Sequence, residues 1–179
     1  MDLLDLKQEK RFLGLEFLTW VWYQSEVNSG LIELEGLGTV ELWFENRLVL
    51  EAGSGNARQT VTLQGKDLEL AEARTALLEG KKVSQARLRI AAESREWRVT
   101  LKAEGLELGS VKAPKTLDAD EEEAESAAGR LLDRIAVMQE LTRILDLLYA
   151  RFLAVRLTNL WEKNELPRLR HWLKRDEDN

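Results

Sequence analysis

The rhythm of apolar positions divides the chain into three parts. Between residues 9 and 27, Phe12, Leu13, Leu15, Phe17, Leu18, Trp20, Val21, Trp22 and Tyr23 are too many to share the stripe, about 100° wide, of an ordinary amphipathic helix. That segment is expected to be a helix buried centrally or against a partner. From residue 31 to 111 apolar and polar positions alternate with period two, broken by Gly, Asn and Ser at turns, which is the signature of an antiparallel sheet. One helix interrupts it: "KDLELAEARTALLEGKK" has Asp67 at a candidate N-cap, strong helix formers after it, and Gly80 placed to end it ahead of Lys81 and Lys82.

Past Pro114 the acidic run "KTLDADEEEAES" reads as a solvated linker entering a helix. The helical pattern then runs from about 122 to 163 with two adjacent stripes. One holds Leu131, Ile135, Met138, Leu145, Tyr149 and Phe152, the other Val137, Leu141, Ile144, Leu148 and Val155. An unbroken helix here would be roughly 60 Å long, so it either breaks or pairs with another subunit. "NELPRLRHWLK" adds a short last helix with Pro167 at its start.

These patterns predict an α+β fold: an antiparallel β-sheet of two or three hairpins packed on a buried N-terminal helix, with a long C-terminal helical hairpin. Residues 1–113 form the helix-plus-sheet core, 114–124 an acidic linker, and 125–179 a helical region packing on the core or on a second subunit.

Bulk composition narrows the setting. At 179 residues with 44% hydrophobic and 32% charged positions, the chain can bury a real core without staples. It has no cysteine, which suits a reducing cytoplasm, and no apolar window long enough to span a membrane. A signal peptide is not expected, because Met-Asp-Leu-Leu-Asp lacks the basic opening. The net charge of −6 argues against a surface coated with phosphate-binding residues, yet leaves room for a local basic patch.

Catalytic chemistry is mostly absent from the sequence. His171 is the only histidine, so no histidine-rich metal cluster exists, and it reads as a surface or interface residue. The glycines form neither GxGxxG nor a phosphate loop, and no GxSxG elbow occurs. Asp133 and Asp146 have Arg130, Arg134 and Arg143 within a helical turn and read as structural ion pairs. No catalytic residue, cofactor or metal is expected, and the function is expected to be non-enzymatic.

Glu16 stands out among the aromatics. A carboxylate in an apolar helix is costly unless paired, and the C-terminal helix offers Arg143, Arg151 and Arg156. Arg151, between Tyr149 and Phe152, is the first choice; a general base or metal ligand is the alternative.

The sheet region carries the most specific signal. If "KVSQARLRIAAESREWRVTLKAE" turns at Glu93-Ser94, Ile90 faces Trp97, Leu88 faces Val99 and Ala86 faces Leu101 on one core face. The other face carries Arg87, Arg89, Arg98 and Lys102, with Arg89 opposite Arg98, a like-charge pair that needs an anion. From Lys81 to Lys115 nine basic residues meet four acidic ones. Two anions answer the need. The first hairpin presents Glu33, Glu35, Glu41, Glu45 and Glu51 outward and can neutralise the patch; alternatively, the guanidinium row tracks a phosphate backbone. Trp43 shares the glutamate face as a possible stacking residue, whereas Trp20, Trp22, Trp97, Trp161 and Trp172 read as buried.

"FLGLEFLTWVWYQSE", then "VELWFENRLVLE", and later "LYARFLAVRL" and "LPRLRHWL" resemble the RdgC-like recombination-associated proteins, the likeness touching most of residues 12–173. The resemblance implies a DNA-associated protein that binds without strong sequence preference, forms a ring-shaped dimer and restrains recombinase filaments. This chain is much shorter than the well-described members, and it carries no carboxylate cluster for an exonuclease. Two functions are therefore expected. The first is sequence-independent nucleic-acid binding linked to recombination or replication, with Arg87, Arg89, Arg98 and Lys102 as phosphate contacts. The alternative is a structural or oligomerisation module, binding itself or a protein partner through residues 131–155. No membrane partner is expected.

Overall fold

Helix α1, Leu3–Val27, is the centre of the molecule. In this computed structural model, which describes residues 3–53, 57–65, 70–114 and 127–174, Phe17, Leu18, Trp20, Val21, Trp22 and Tyr23 on successive sides of α1 are all buried. An all-round apolar helix requires such a position, because each face must find its own cover. Gly14 allows the closest approach: a Cβ there would lie 2.0 Å from the Ala103 carbonyl oxygen, so only glycine lets the helix cross that backbone.

The cover on one side is a six-stranded antiparallel sheet of β1 (Leu31–Leu34), β2 (Gly38–Ala52), β3 (Gln59–Gln64), β4 (Lys82–Ala92), β5 (Arg95–Lys102) and β6 (Glu107–Lys112). Its order is β1-β2-β4-β5-β6. Because β4 takes one edge of β2, β1 and β3 share the other edge, pairing with its first and second halves. The β4–β5 hairpin has the register read from sequence, Ile90 opposite Trp97 and Arg89 opposite Arg98. Val40, Leu42, Leu48, Leu50, Ala86, Leu88, Ile90, Trp97, Val99 and Leu101 form the buried face.

Between β3 and β4 lies α2, Leu70–Leu78. Gly80, at φ +88°, ends it as expected: its N–H bonds the Leu77 carbonyl at 2.9 Å and the Lys81 N–H reaches the Ala76 carbonyl at 3.0 Å. The N-cap assigned to Asp67 lies outside the described residues, as does most of the acidic linker.

The long helix does break. α3 runs Ala127–Arg156, about 45 Å, and a turn follows. A π-helical turn, Trp161–Glu165, marked by a bond from the Leu166 N–H to the Trp161 carbonyl, then leads into α4, Leu166–Lys174. α3 packs on α1 and β1, and α4 on α1 and α2. The stripe Val137, Leu141, Ile144, Leu148 and Phe152 is buried, with Phe152 meeting Phe17, Trp20, Tyr149 and Trp161 at ring-centroid distances of 5.6–6.0 Å. Among the described residues no helix is long and apolar enough to cross a membrane.

Candidate functional site

The four cations singled out in the sequence do share the outward face of the sheet, and each is matched by a carboxylate. Arg87 Nε lies 3.1 Å from Glu45 Oε2, and Arg98 Nε 3.2 Å from Glu45 Oε1. Glu96 then bridges the like-charge pair: its Oε2 accepts from Arg89 Nε at 2.8 Å and its Oε1 lies 3.1 Å from an Arg98 nitrogen. Arg89 also approaches Glu41 at 3.7 Å, and Lys102 stands 3.6 Å from Glu107. The result is a line of alternating charge, Arg87, Glu45, Arg98, Glu96, Arg89, Glu41. The Arg89 hydrogen bond holds the Glu96 carboxyl below its usual pKa, helped by the nearby positive charge of Arg89 and Arg98.

A bulge makes this possible. The β2 register with β4 slips between Phe44 opposite Leu88 and Leu48 opposite Ala86, so Glu45, Asn46 and Arg47 stand against Arg87 alone. That extra length lets Glu45 reach across β4 to Arg98 on β5. Glu51, expected to point outward, is instead buried and paired with Arg58. Trp43 is partly exposed on the outward face, its indole against Gly30, where a Cβ would lie 2.3 Å from the ring. The other five tryptophans are buried as expected.

Glu16 has two partners, and neither is Arg151. Its Oε2 accepts from Arg156 Nε at 2.6 Å and its Oε1 from Lys82 Nζ at 3.1 Å, with the carboxylate side chain 11% exposed. The Arg156 guanidinium also lies over the Trp161 ring, 5.3 Å from its centroid. Arg151 lies on the exposed flank of α3 and donates to the Glu33 carbonyl at 2.7 Å. Sequence position between two aromatics was misleading, since Tyr149 and Phe152 turn inward while residue 151 is rotated away from them. Glu16 thus ties α1 to β4 and to the end of α3. Among the described residues no cluster of carboxylates or histidine is arranged to hold a metal.

Ion pairs expected for Asp133 and Asp146 do not form among the described residues; both carboxylates are exposed. Arg143 donates to the Gly36 carbonyl at 3.2 Å, and Glu140 pairs with Arg95 on β5. The face of α3 that carries Asp146 is open. Residues 130–136 are all exposed, and within them Leu131 is 58%, Leu132 66% and Ile135 44% accessible. Leu131 and Ile135 begin a shallow groove that continues past Met138 and Thr142 to Leu147 and Ala150, all on this one helix. Both stripes seen in sequence reach the core along the second half of α3, where Met138, Leu145, Tyr149 and Phe152 of the first pack against it; only the start of that stripe, Leu131 and Ile135, stays outside.

A second recess lies between α1 and α4. Glu165, at the end of the π-helical turn, accepts from Trp20 Nε1 at 3.1 Å and from Gln24 Nε2 at 3.2 Å. Burial, and then the Glu165 charge, push the Tyr23 phenol above its usual pKa against the opposing pull of Arg168. Sequence patterns did not mark this group, because the turn that aims Glu165 toward α1 depends on an i→i+5 bond with no residue signature.

No family model matches the chain, and neither a curated protein nor a solved structure proves similar to it.

Proposed function

We propose that the protein is a non-enzymatic association module that pairs through the open face of α3, with the same face of a second copy as its occupant. The observation that carries this reading is the run of accessible Leu131, Leu132 and Ile135 at the start of a helix that buries Val137, Leu141, Ile144 and Leu148 in the core. Isolated exposed leucines are ordinary, but three within five residues, continuous with a groove, make a patch of the kind that marks interfaces. The flanking charges are mixed, Arg130 and Arg134 with Asp133, so each face presents both signs to its partner.

Magnitude limits the strength of the pairing. Full burial of a leucine-sized side chain is worth about 1.5–3 kcal/mol, so six half-exposed ones across a two-fold contact supply roughly 7 kcal/mol. Association itself costs at least about 4 kcal/mol, so pairing is weak and concentration-dependent unless Met138 and Leu147 join the contact. Sedimentation velocity tests it: wild-type protein should shift toward dimer with concentration and keep doing so in high salt, while Leu131→Asp with Ile135→Asp stays monomeric. A wild type that dissociates as salt rises would contradict an apolar contact.

Nucleic-acid binding, the function implied by the RdgC resemblance, retains one supporting observation, the gathering of Arg87, Arg89, Arg98 and Lys102 on one face. Against it, a phosphate would have to displace a glutamate at each contact. Anisotropy of labelled DNA, compared between wild type and a variant with all four changed to glutamate, measures that competition directly.

A further inference from the structure

In a chain that matches the cations of its sheet so thoroughly, polar groups left unspent are informative, and three of them converge on the recess between α1 and α4. This cleft, of about 390 Å³, is lined by Tyr23 and Val27 from α1 and by Pro167, Arg168, His171 and Trp172 from α4. Its volume falls within the range of small-ligand sites. The Tyr23 ring is buried against Trp172, yet its hydroxyl has no hydrogen-bond partner among the described residues. His171 is exposed and likewise forms no hydrogen bond among them. The Arg168 side chain is 70% accessible, and its nearest carboxylate oxygen, on Glu165, is 3.9 Å away, beyond hydrogen-bond reach.

The sign of the missing ligand follows from what these groups can do. A phenol, a guanidinium and an imidazole can all donate, and the guanidinium carries a positive charge. Glu165, the neighbouring carboxylate, is already satisfied through one oxygen by Trp20 and Gln24. Glu165 does not line the cleft and its other oxygen is turned to Arg168 at 3.9 Å, so a ligand seated in the cleft meets donors from both helices and no lining carboxylate. Val27, Pro167 and the edge of Trp172 supply an apolar wall beside them.

We propose that the cleft between α1 and α4 binds a small molecule with an oxyanion head, a carboxylate or a phosphate monoester, on an apolar body. Arg168 and His171 hold the head from α4, the Tyr23 hydroxyl from α1, and the π-helical turn sets the start of α4 beside Glu165. The site shares no residue with the open face of α3 and stands or falls independently of pairing.

Because His171 is the only histidine, its imidazole gives a single Hε1 proton NMR signal in the folded protein. Titration with phenyl phosphate, benzoate and neutral benzyl alcohol, each to roughly 10 mM, covers even millimolar complexes. The expected result is a saturable shift with at least one anion and none with the alcohol; which anion acts distinguishes phosphate from carboxylate. Arg168→Ala, at an exposed position that leaves the fold intact, should weaken binding about tenfold or more. Tyr23→Phe keeps the buried ring and should weaken it less. No saturable shift with either anion, an equal shift with benzyl alcohol, or undiminished binding in Arg168→Ala would each overturn the proposal.

Discussion

The outward face of the sheet and the open face of α3 are both surfaces that the sequence marks as unfinished, but the fold completes only one of them. On the sheet, Arg87, Arg89, Arg98 and Lys102 meet Glu41, Glu45, Glu96 and Glu107, cation for carboxylate. On α3, Leu131, Leu132 and Ile135 meet solvent. A dense charge row is therefore not by itself a binding surface, since neighbouring strands can supply its counter-ions at little conformational cost. Apolar surface on a helix that runs past its core finds no such remedy among the described residues.

The contrast can be broken hardest within α3. Leu141→Asp puts a carboxylate into the buried stripe and should cost at least about 4 kcal/mol, enough to unfold a marginal domain. Leu131→Asp on the open face should change urea stability by no more than about 0.5 kcal/mol. A similar cost for both would mean that the open face is covered within the monomer. Next in size is Glu16→Ala, which removes the carboxylate shared by Lys82 and Arg156 and should cost about 3 kcal/mol. Arg151→Ala loses one exposed hydrogen bond and should cost under about 1 kcal/mol, measured by the same denaturation.

On the sheet the effects shrink. Glu45→Ala releases both Arg87 and Arg98 and should destabilise by no more than about 1 kcal/mol, because the pairs are partly solvated. The same change should raise DNA affinity at low salt if the glutamates are what occupies the patch. Smallest is the acid response. Glu96 has a lowered pKa in the folded state, so its contribution is fully present above the unfolded carboxylate range and is lost as pH falls through the lower, folded value. Glu96→Gln should flatten the acid limb of the stability curve, and an unchanged limb would remove Glu96 from that role.

Much of this fold was legible from period and turn chemistry. The β4–β5 register followed from one assumption, a turn at Glu93-Ser94, because every cross-strand pair is then fixed. The helix stop at Gly80 was equally readable, since a left-handed C′ residue favours glycine. Long-range partners were not. Whether Glu16 meets Arg151 or Arg156 depends on how α3 is rotated against α1, and both arginines lie among apolar neighbours in the sequence. The bulge that aims Glu45 at two arginines has no residue signature, and neither does the π-helical turn that places Glu165 beside Tyr23. The two stripes of α3 were visible, but how far along the helix the core would cover them depended on where α1 and the sheet end.

The open face of α3 can be tested most directly by placing a photo-crosslinking amino acid at Ile135 and, in parallel, at Thr100 on the charge-matched sheet, and irradiating the producing cells. Pairing through α3 predicts a dimer-sized product from position 135, lost when Leu131 is changed to Asp, and little product from position 100. Equal or stronger crosslinking from position 100 would place the working surface on the sheet and contradict the assignment.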